Sequence, residues 1–356
     1  MQQRRHDVGQ NLGYGPERQQ TAEAGAYHGA GGGGGDAGDV HRLCGPQDGG
    51  LVRGEKGFAL VLTLVVTALM VAAAVELIHQ VYVDMSLNRN FRDGQQASLL
   101  AESGAEGGKK LLQTLLAAQS YTSLSDKWAA PFKMDDEVGR IEITTTEESG
   151  KINLNALVQQ NDEINADTLA ILKRLGTQLQ IPESVWNALA DWIDTNDLPS
   201  SGGAENSYYK SLNPPYSARN GRLTTVNELS LVKGFTADMV NRLKPFVTVY
   251  PNKAGGLGAT VAVNVNTAPK EVLMALDSRI SGSIADRIIE ERRLAPFKSI
   301  GELARADTIL TTIKGMTIQG KIFRITARGF VKEAARTVEA VVNMDGTGEF
   351  LSWQEF

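Results

Sequence analysis

The hydrophobic pattern changes abruptly at Phe58. From there to Val75 the chain reads "FALVLTLVVTALMVAAAV", eighteen residues without a charge, and only Thr63 and Thr67 break the apolar run. A helix rises about 1.5 Å per residue, so this stretch spans roughly 27 Å, close to the thickness of a hydrocarbon core. A helix buried in a soluble core usually keeps a polar stripe, and this one has none. The pattern therefore predicts a membrane-inserted helix. Arg53 and Lys56 precede it, which favours a cytoplasmic N-terminus and puts the bulk of the chain in the periplasm of a Gram-negative cell.

Apolar and small residues then recur near helical spacing at Leu87, Phe91, Ala97, Leu100, Ala101, Ala105 and Leu111. They predict that the same helix continues to about Gln119. Ala101, Ser103, Gly104, Ala105, Gly107 and Gly108 would let a sheet approach closely, whereas Gly107-Gly108 is also where such a helix would break. Ile141 and Ile143 alternate with polar residues, as in a half-buried strand. Near the other end, Ile322, Phe323, Ile325, Ala327 and Phe330, a turn at 332–335, then Val338, Ala340 and Val342 predict an antiparallel hairpin.

The expected fold class is α+β: a long N-terminal membrane-inserted helix packed on a small antiparallel sheet, with a large α-helical insertion. The expected parts are a leader (1–57), a transmembrane and spine helix (58–120), an α/β core (121–155 with 321–345), a helical insert (156–320) and a C-terminal tail (346–356). Residues 1–50 show no helical or strand period and include "GAGGGGGDAGD" with His6, His28 and His41. They read either as a polar tail that buries too little to order or as residues ahead of a true start at Leu51 or Val52. A metal-capturing tail is a weaker reading of the same histidines.

Composition narrows the functions. The net charge of -5 speaks against a general nucleic-acid binder, and a single cysteine, Cys44, rules out an internal disulfide. No histidine follows His79, which excludes a histidine triad or a histidine zinc site in the main body. Gly255, Gly256 and Gly258 precede a strand instead of following one, so they do not read as a phosphate cradle. No enzyme is expected. Oxygen ligands do cluster in "ALADWIDTNDLPSSGGAENSYYKS". Asp191 and Asp194 share a helix face, Asn196 and Asp197 follow, and Glu205 closes a glycine-rich loop. Calcium takes six to eight such oxygens; an N-cap with a solvated acidic loop is the plainer alternative.

"KGFALVLTL" resembles the type III signal of type IV pilins and type II secretion pseudopilins. The resemblance implies cleavage by a prepilin peptidase between Gly57 and Phe58, and N-methylation of Phe58. Members usually carry glutamate at the fifth mature position, thought to pair with the N-terminal ammonium of the preceding subunit. Here that position is Leu62. A subunit with no predecessor has no ammonium to neutralise, and an unpaired carboxylate in lipid is costly. In this the chain resembles the minor pseudopilin GspK family of type II secretion systems, as it does in its large helical insert. The resemblance implies a tip position that starts and caps the fibre. It also implies an inner-membrane location, I- and J-type minor pseudopilins as partners, and calcium at Asp191, Asp194, Asn196, Asp197 and Glu205, with Asn196 standing where aspartate is usual.

The alternative is a membrane-anchored periplasmic DNA-binding protein of competence type. "LTTVNELSLVKGFTADMVNRL" and the stretch from Val263 to Leu303 both look like helix-hairpin-helix, or SAM-like, elements. The second hairpin reads "DSRISGS", with Asp277 and one glycine, Gly282, where phosphate-binding hairpins place two glycines. Residues 261–307 carry seven basic and seven acidic side chains, whereas phosphate binding needs a positive surface, so no nucleic acid is expected.

Overall fold

The computed structural model describes residues 55–251 and 261–356. The readings on His6, His28, His41, Cys44 and Arg53, and on Gly255, Gly256 and Gly258, lie outside the described residues.

The uncharged run lies in helix α1 (Glu55–Leu116). Its side chains face outward from Phe58 through Val75, and its most apolar window has a mean hydropathy of 2.7. The two threonines hydrogen-bond within the helix: Thr63 Oγ1 donates to Leu60 O at 2.9 Å and Thr67 Oγ1 to Thr63 O at 2.9 Å. An apolar solvent therefore meets no free hydroxyl there. The helix ends three residues before Gln119 and does not break at Gly107-Gly108.

The body from Ala72 onward has a five-stranded antiparallel sheet in the order β1 (Phe132–Asp135), β2 (Arg140–Glu147), β7 (Ile322–Val331), β8 (Ala334–Asn343), β9 (Glu349–Glu355). The alternation at Ile141 and Ile143 is β2, and the predicted hairpin is β7–β8. Its two-residue turn holds Lys332 at φ 50°. α1 lies against the sheet where its side chains are smallest. A Cβ added to Gly104 would come 2.9 Å from Ile141 Cγ2, and one on Gly108 would come 3.0 Å from Ile325 Cγ2. Gly107 has no such neighbour, so it is not part of this contact. On the sheet side, a Cβ on Gly329 would meet Ala97 O at 2.1 Å. Ala101, Ala105, Leu112, Ile141, Ile325, Ala327 and Ala340 form the buried layer between helix and sheet.

Residues 346–356 were expected as a tail, but most of them form the edge strand β9. A bulge opposite Val341/Val342 puts Phe350 and Trp353, three residues apart, against consecutive alternate partners on β8. The period of two that marks a strand is therefore absent from the sequence. The short edge strand β1 was missed as well.

The regular elements of the stretch 156–320 are mainly helices: α2 (Ala166–Gln178), α3 (Ser184–Ile193), α4 (Asn206–Lys210), α5 (Ala237–Leu243), α6 (Lys270–Leu276) and α7 (Gly282–Leu294). It has its own core around Trp186, Trp192, Tyr209, Leu229 and Phe297. Two small parallel pairs stitch it, β3 (Ile152–Asn153) with β4 (Val247–Thr248) and β5 (Val263–Asn264) with β6 (Met316–Thr317). In the first expected helical hairpin, the leading segment Val226–Leu231 is a 3-10 turn closed by a Thr225/Glu228 capping box. In the second, α6 and α7 are joined through Asp277, whose carboxylate takes two hydrogen bonds from the Arg279 guanidinium at 2.9 and 2.8 Å.

Candidate metal centre

α3 is apolar on nearly every face. Val185, Trp186, Ala188, Leu189, Trp192 and Ile193 are all buried, so the acid in its last turn is buried with them. Asp191 is fully buried. Its two oxygens accept from Ser200 N at 3.1 and 3.0 Å, which folds the following loop back over the helix end. Gly203 completes the fold-back: a Cβ there would lie 1.9 Å from Asp191 Oδ2, so no side chain fits. Asp194 ends the helix in an extended conformation. Glu205 is also extended, and its carbonyl accepts from Tyr208 N and Tyr209 N to start α4. Tyr209 packs edge-on against Trp192 at 5.0 Å, and Lys233 Nζ donates to Gly203 O at 3.0 Å.

These constraints bring Asp191, Asp194 and Glu205 together, with ligand oxygens within 4.8 Å of one another. Asp194 and Glu205 are only 4% and 2% exposed. Asp194 Oδ1 and both carboxylate oxygens of Glu205 have no hydrogen-bond partner. No ion pair reaches any of the three among the described residues. Burial, reinforced by Asp191 and Asp162, pushes Asp194 up to about 6. Burial, reinforced by Asp194, Asp191 and Asp197, pushes Glu205 up to about 7. Buried carboxylates are normally paired or hydrogen-bonded; three converging ones, two of them with orphan oxygens, suit a hard divalent cation. The donor set is all oxygen, which matches calcium and not the nitrogen- and sulfur-rich sets of zinc.

The other two expected ligands border the cluster: Asn196 hydrogen-bonds Asp194 through its backbone and side chain, and Asp197 adds negative charge beside Glu205. Asn196 Oδ1 accepts from Leu198 N at 2.8 Å, closing a local turn. Asp197 is exposed and accepts from Asn206 Nδ2 at 3.0 Å. Two neighbours escaped the sequence reading. Asp162 adds negative charge beside Asp194 and accepts from Thr195 N. Asn220 donates to Asn196 O at 3.4 Å while its own Oδ1 is buried without a partner. Its only sequence signal was the Asn-Gly pair with Gly221, which marks a turn. Near the start of the described residues, Gly57 lies in the first turn of α1, with Phe58 and Leu62 72% and 52% exposed along it.

The family described as type II secretion system (T2SS), protein K, matches residues 150–252 and again 263–317, so the first match contains the acidic cluster. The type II secretion system protein K of Pseudomonas aeruginosa is 30% identical over 277 residues, covering 74% of this chain and 80% of the relative. That of Aeromonas hydrophila is 29% identical over 289 residues, covering 74% of this chain and 84% of the relative. Among solved structures, a chain of the GspK-GspI-GspJ complex from the enterotoxigenic Escherichia coli type 2 secretion system superposes with a TM-score of 0.61. That match has 23% identity and covers 76% of this chain and 99% of that one; it shows a shared fold. The chain belongs to the type II secretion system protein K family.

Proposed function

We propose that this protein is the minor pseudopilin at the tip of a type II secretion pseudopilus, where it starts assembly and caps the fibre for protein export across the outer membrane. The observation that carries the reading is a single helix that is bare and apolar at one end and, from Ala97 to Leu112, packed on a sheet bearing a bulky helical insert. The apolar end anchors the chain in the inner membrane in a single pass, with its N-terminus cytoplasmic and its bulk periplasmic. Prepilin peptidase cleaves between Gly57 and Phe58 and methylates Phe58. Leu62 removes the need for a preceding subunit's ammonium, which suits the first subunit of a fibre. The insert then blocks addition above it, and its α6–α7 hairpin serves as packing scaffold. The partners are I- and J-type minor pseudopilins, by analogy with the complex whose fold this chain shares.

In this reading Asp191, Asp194 and Glu205 hold a calcium ion. The ion supplies positive charge to three buried carboxylates and ties the 195–204 loop to α3. The role is structural and no catalysis is assigned.

The test is co-expression of the full chain, leader included, with the I- and J-type subunits of the same system, followed by purification from detergent. A stable ternary complex, with mature protein beginning at Phe58, is the expected result. Failure to co-purify, or an N-terminus elsewhere, would overturn the assignment.

A further inference from the structure

We infer that Asn220 donates a neutral amide oxygen to the cation held by Asp191, Asp194 and Glu205. The inference rests on the calcium reading above and extends its ligand set to a residue far along the chain.

Ligand number comes first. Calcium takes six to eight oxygens, and both oxygens of Asp191 already accept from Ser200 N. Further oxygen donors are needed, and neutral ones avoid adding charge to a site that already holds three carboxylates.

Placement comes second. The segment carrying Asn220 is fastened to the walls of the cluster. Ala218 N donates to Asn206 Oδ1 at 3.0 Å, and Asn206 Nδ2 donates to Asp197 Oδ1 at 3.0 Å. Asn206 directly follows Glu205, and Asp197 lies in the turn that leaves Asp194. Asn220 itself reaches that turn, with Nδ2 on Asn196 O.

Orientation comes third. Asn220 has φ 46°, a left-handed conformation that asparagine tolerates better than most residues. Its amide nitrogen is engaged by Asn196 O, and its amide oxygen is buried with no donor. A buried amide oxygen without a donor is rare in native proteins. A cation held by the three carboxylates would account for this oxygen together with the orphan oxygens of Asp194 and Glu205. A trapped water bridging Asn220 to the loop is the competing account.

The experiment uses the full chain in detergent, with Ca²⁺ titrated calorimetrically and Eu³⁺ as a luminescent probe whose lifetimes in H₂O and D₂O count its bound waters. Asn220→Gly removes the side chain without straining the left-handed backbone; Asn220→Asp keeps the shape and restores an oxygen. The expected result is a loss of about tenfold in Ca²⁺ affinity for Asn220→Gly, with roughly one additional water on Eu³⁺. Asn220→Asp should keep the wild-type water count. Unchanged affinity in Asn220→Gly overturns the inference, and so does weaker affinity with an unchanged water count, which would mean that Asn220 acts only through the loop. Asp194→Ala separates the premise from the inference. If that variant binds Ca²⁺ like wild type, the three-carboxylate site is not the calcium site, and Asn220 falls with it.

Discussion

Three buried glutamates in the body of this protein differ in what surrounds them: Glu148 is held below the ordinary carboxylate value, whereas Glu147 and Glu205 are both raised. At the end of β2, Glu148 is 1% exposed. Burial alone would raise its pKa, yet Lys151 and Arg324 outweigh that and hold it below the ordinary value. Both cations touch Glu148 Oε1 at 2.8 Å, and Arg324 reaches on to Glu339. Glu147, next to it, receives Asn264 Nδ2 at 2.8 Å and Thr267 Oγ1 at 3.2 Å on Oε1. In the acidic cluster, Glu205 has neither cation nor donor on either oxygen. Burial is common to all three. What separates them is what the chain supplies around the carboxylate: two cations for Glu148, neutral donors for Glu147, only further carboxylates for Glu205. A buried acid marks a ligand site when the chain leaves its charge uncompensated.

The largest expected effect breaks the compensated side of that comparison. Arg324→Met leaves Glu148 buried with Lys151 as its one cation and also strips Glu339 of its partner. Removing one member of a buried ion pair typically costs about 3–5 kcal/mol. The variant should unfold at a markedly lower denaturant concentration, in chemical denaturation of the full chain in detergent. Its gain in stability on adding Ca²⁺ should equal that of wild type, because Arg324 does not touch the acidic cluster. A variant as stable as wild type would show that the pair contributes little and that the contrast drawn above is wrong for Glu148.

The second prediction concerns the uncompensated side. A ligand that binds only the folded state stabilises it by about 2.7 kcal/mol at a hundred times its dissociation constant. Millimolar Ca²⁺ should therefore raise the melting temperature, EGTA should reverse the gain, and Asp194→Ala should abolish it. The pH dependence has a definite sign. Asp194 and Glu205 have folded pKa values raised to about 6 and about 7 in the metal-free protein. Their protonation favours the metal-free fold at low pH, and that contribution is lost as pH rises through those values. The ion needs the ionised forms. The Ca²⁺-induced gain should thus be larger at pH 8 than at pH 5.5. Equal gains at both would place the ion elsewhere.

Much of this was legible in the sequence because the relevant signals are local and periodic. The apolar run 58–75, the alternation at Ile141 and Ile143, and the alternation from Ile325 to Val342 map directly onto α1, β2 and the β7–β8 hairpin. Asp191 and Asp194 were legible by their i, i+3 spacing, and Glu205 as the acid that closes the glycine-rich loop after them. The rest depends on contacts between distant segments or on local geometry that composition does not encode. β9 was hidden by its bulge. Asn196 and Asp197 have the right chemistry and border the cluster, and the fold adds a turn bond from Leu198 N to Asn196 Oδ1 and a bond from Asn206 Nδ2 to Asp197 Oδ1 that the spacing does not show. Asn220 and Glu147 acquire their surroundings from segments that meet only in the fold, Glu147 from Thr122, Asn264 and Thr267.

The last prediction concerns Glu147, the intermediate case. It is buried, and a Cβ on Gly320 would sit 1.9 Å from its Oε1. Burial raises its pKa to about 7; hydrogen bonds from Asn264, Thr122 and Thr267 pull against that, and Asp126 adds to it. Lys151 and Arg324, nearby through Glu148, are already engaged there. With a folded pKa near 7 and an unfolded one near 4.5, the folded state holds a proton that the unfolded state has lost. The stabilisation is complete below the unfolded value and disappears as pH rises through about 7. One proton corresponds to a slope of about 1.4 kcal/mol per pH unit between those limits. Glu147→Gln is neutral in both states, so it should remove that slope while leaving the acidic cluster untouched. Stability should be measured across pH 5 to 8 with Ca²⁺ saturating, so that the cluster stays ionised in the folded state. If wild type and Glu147→Gln lose stability in parallel as pH rises, the donors around Oε1 are strong enough to keep Glu147 charged, and neutral hydrogen bonds compensate a buried carboxylate as fully as the two cations compensate Glu148.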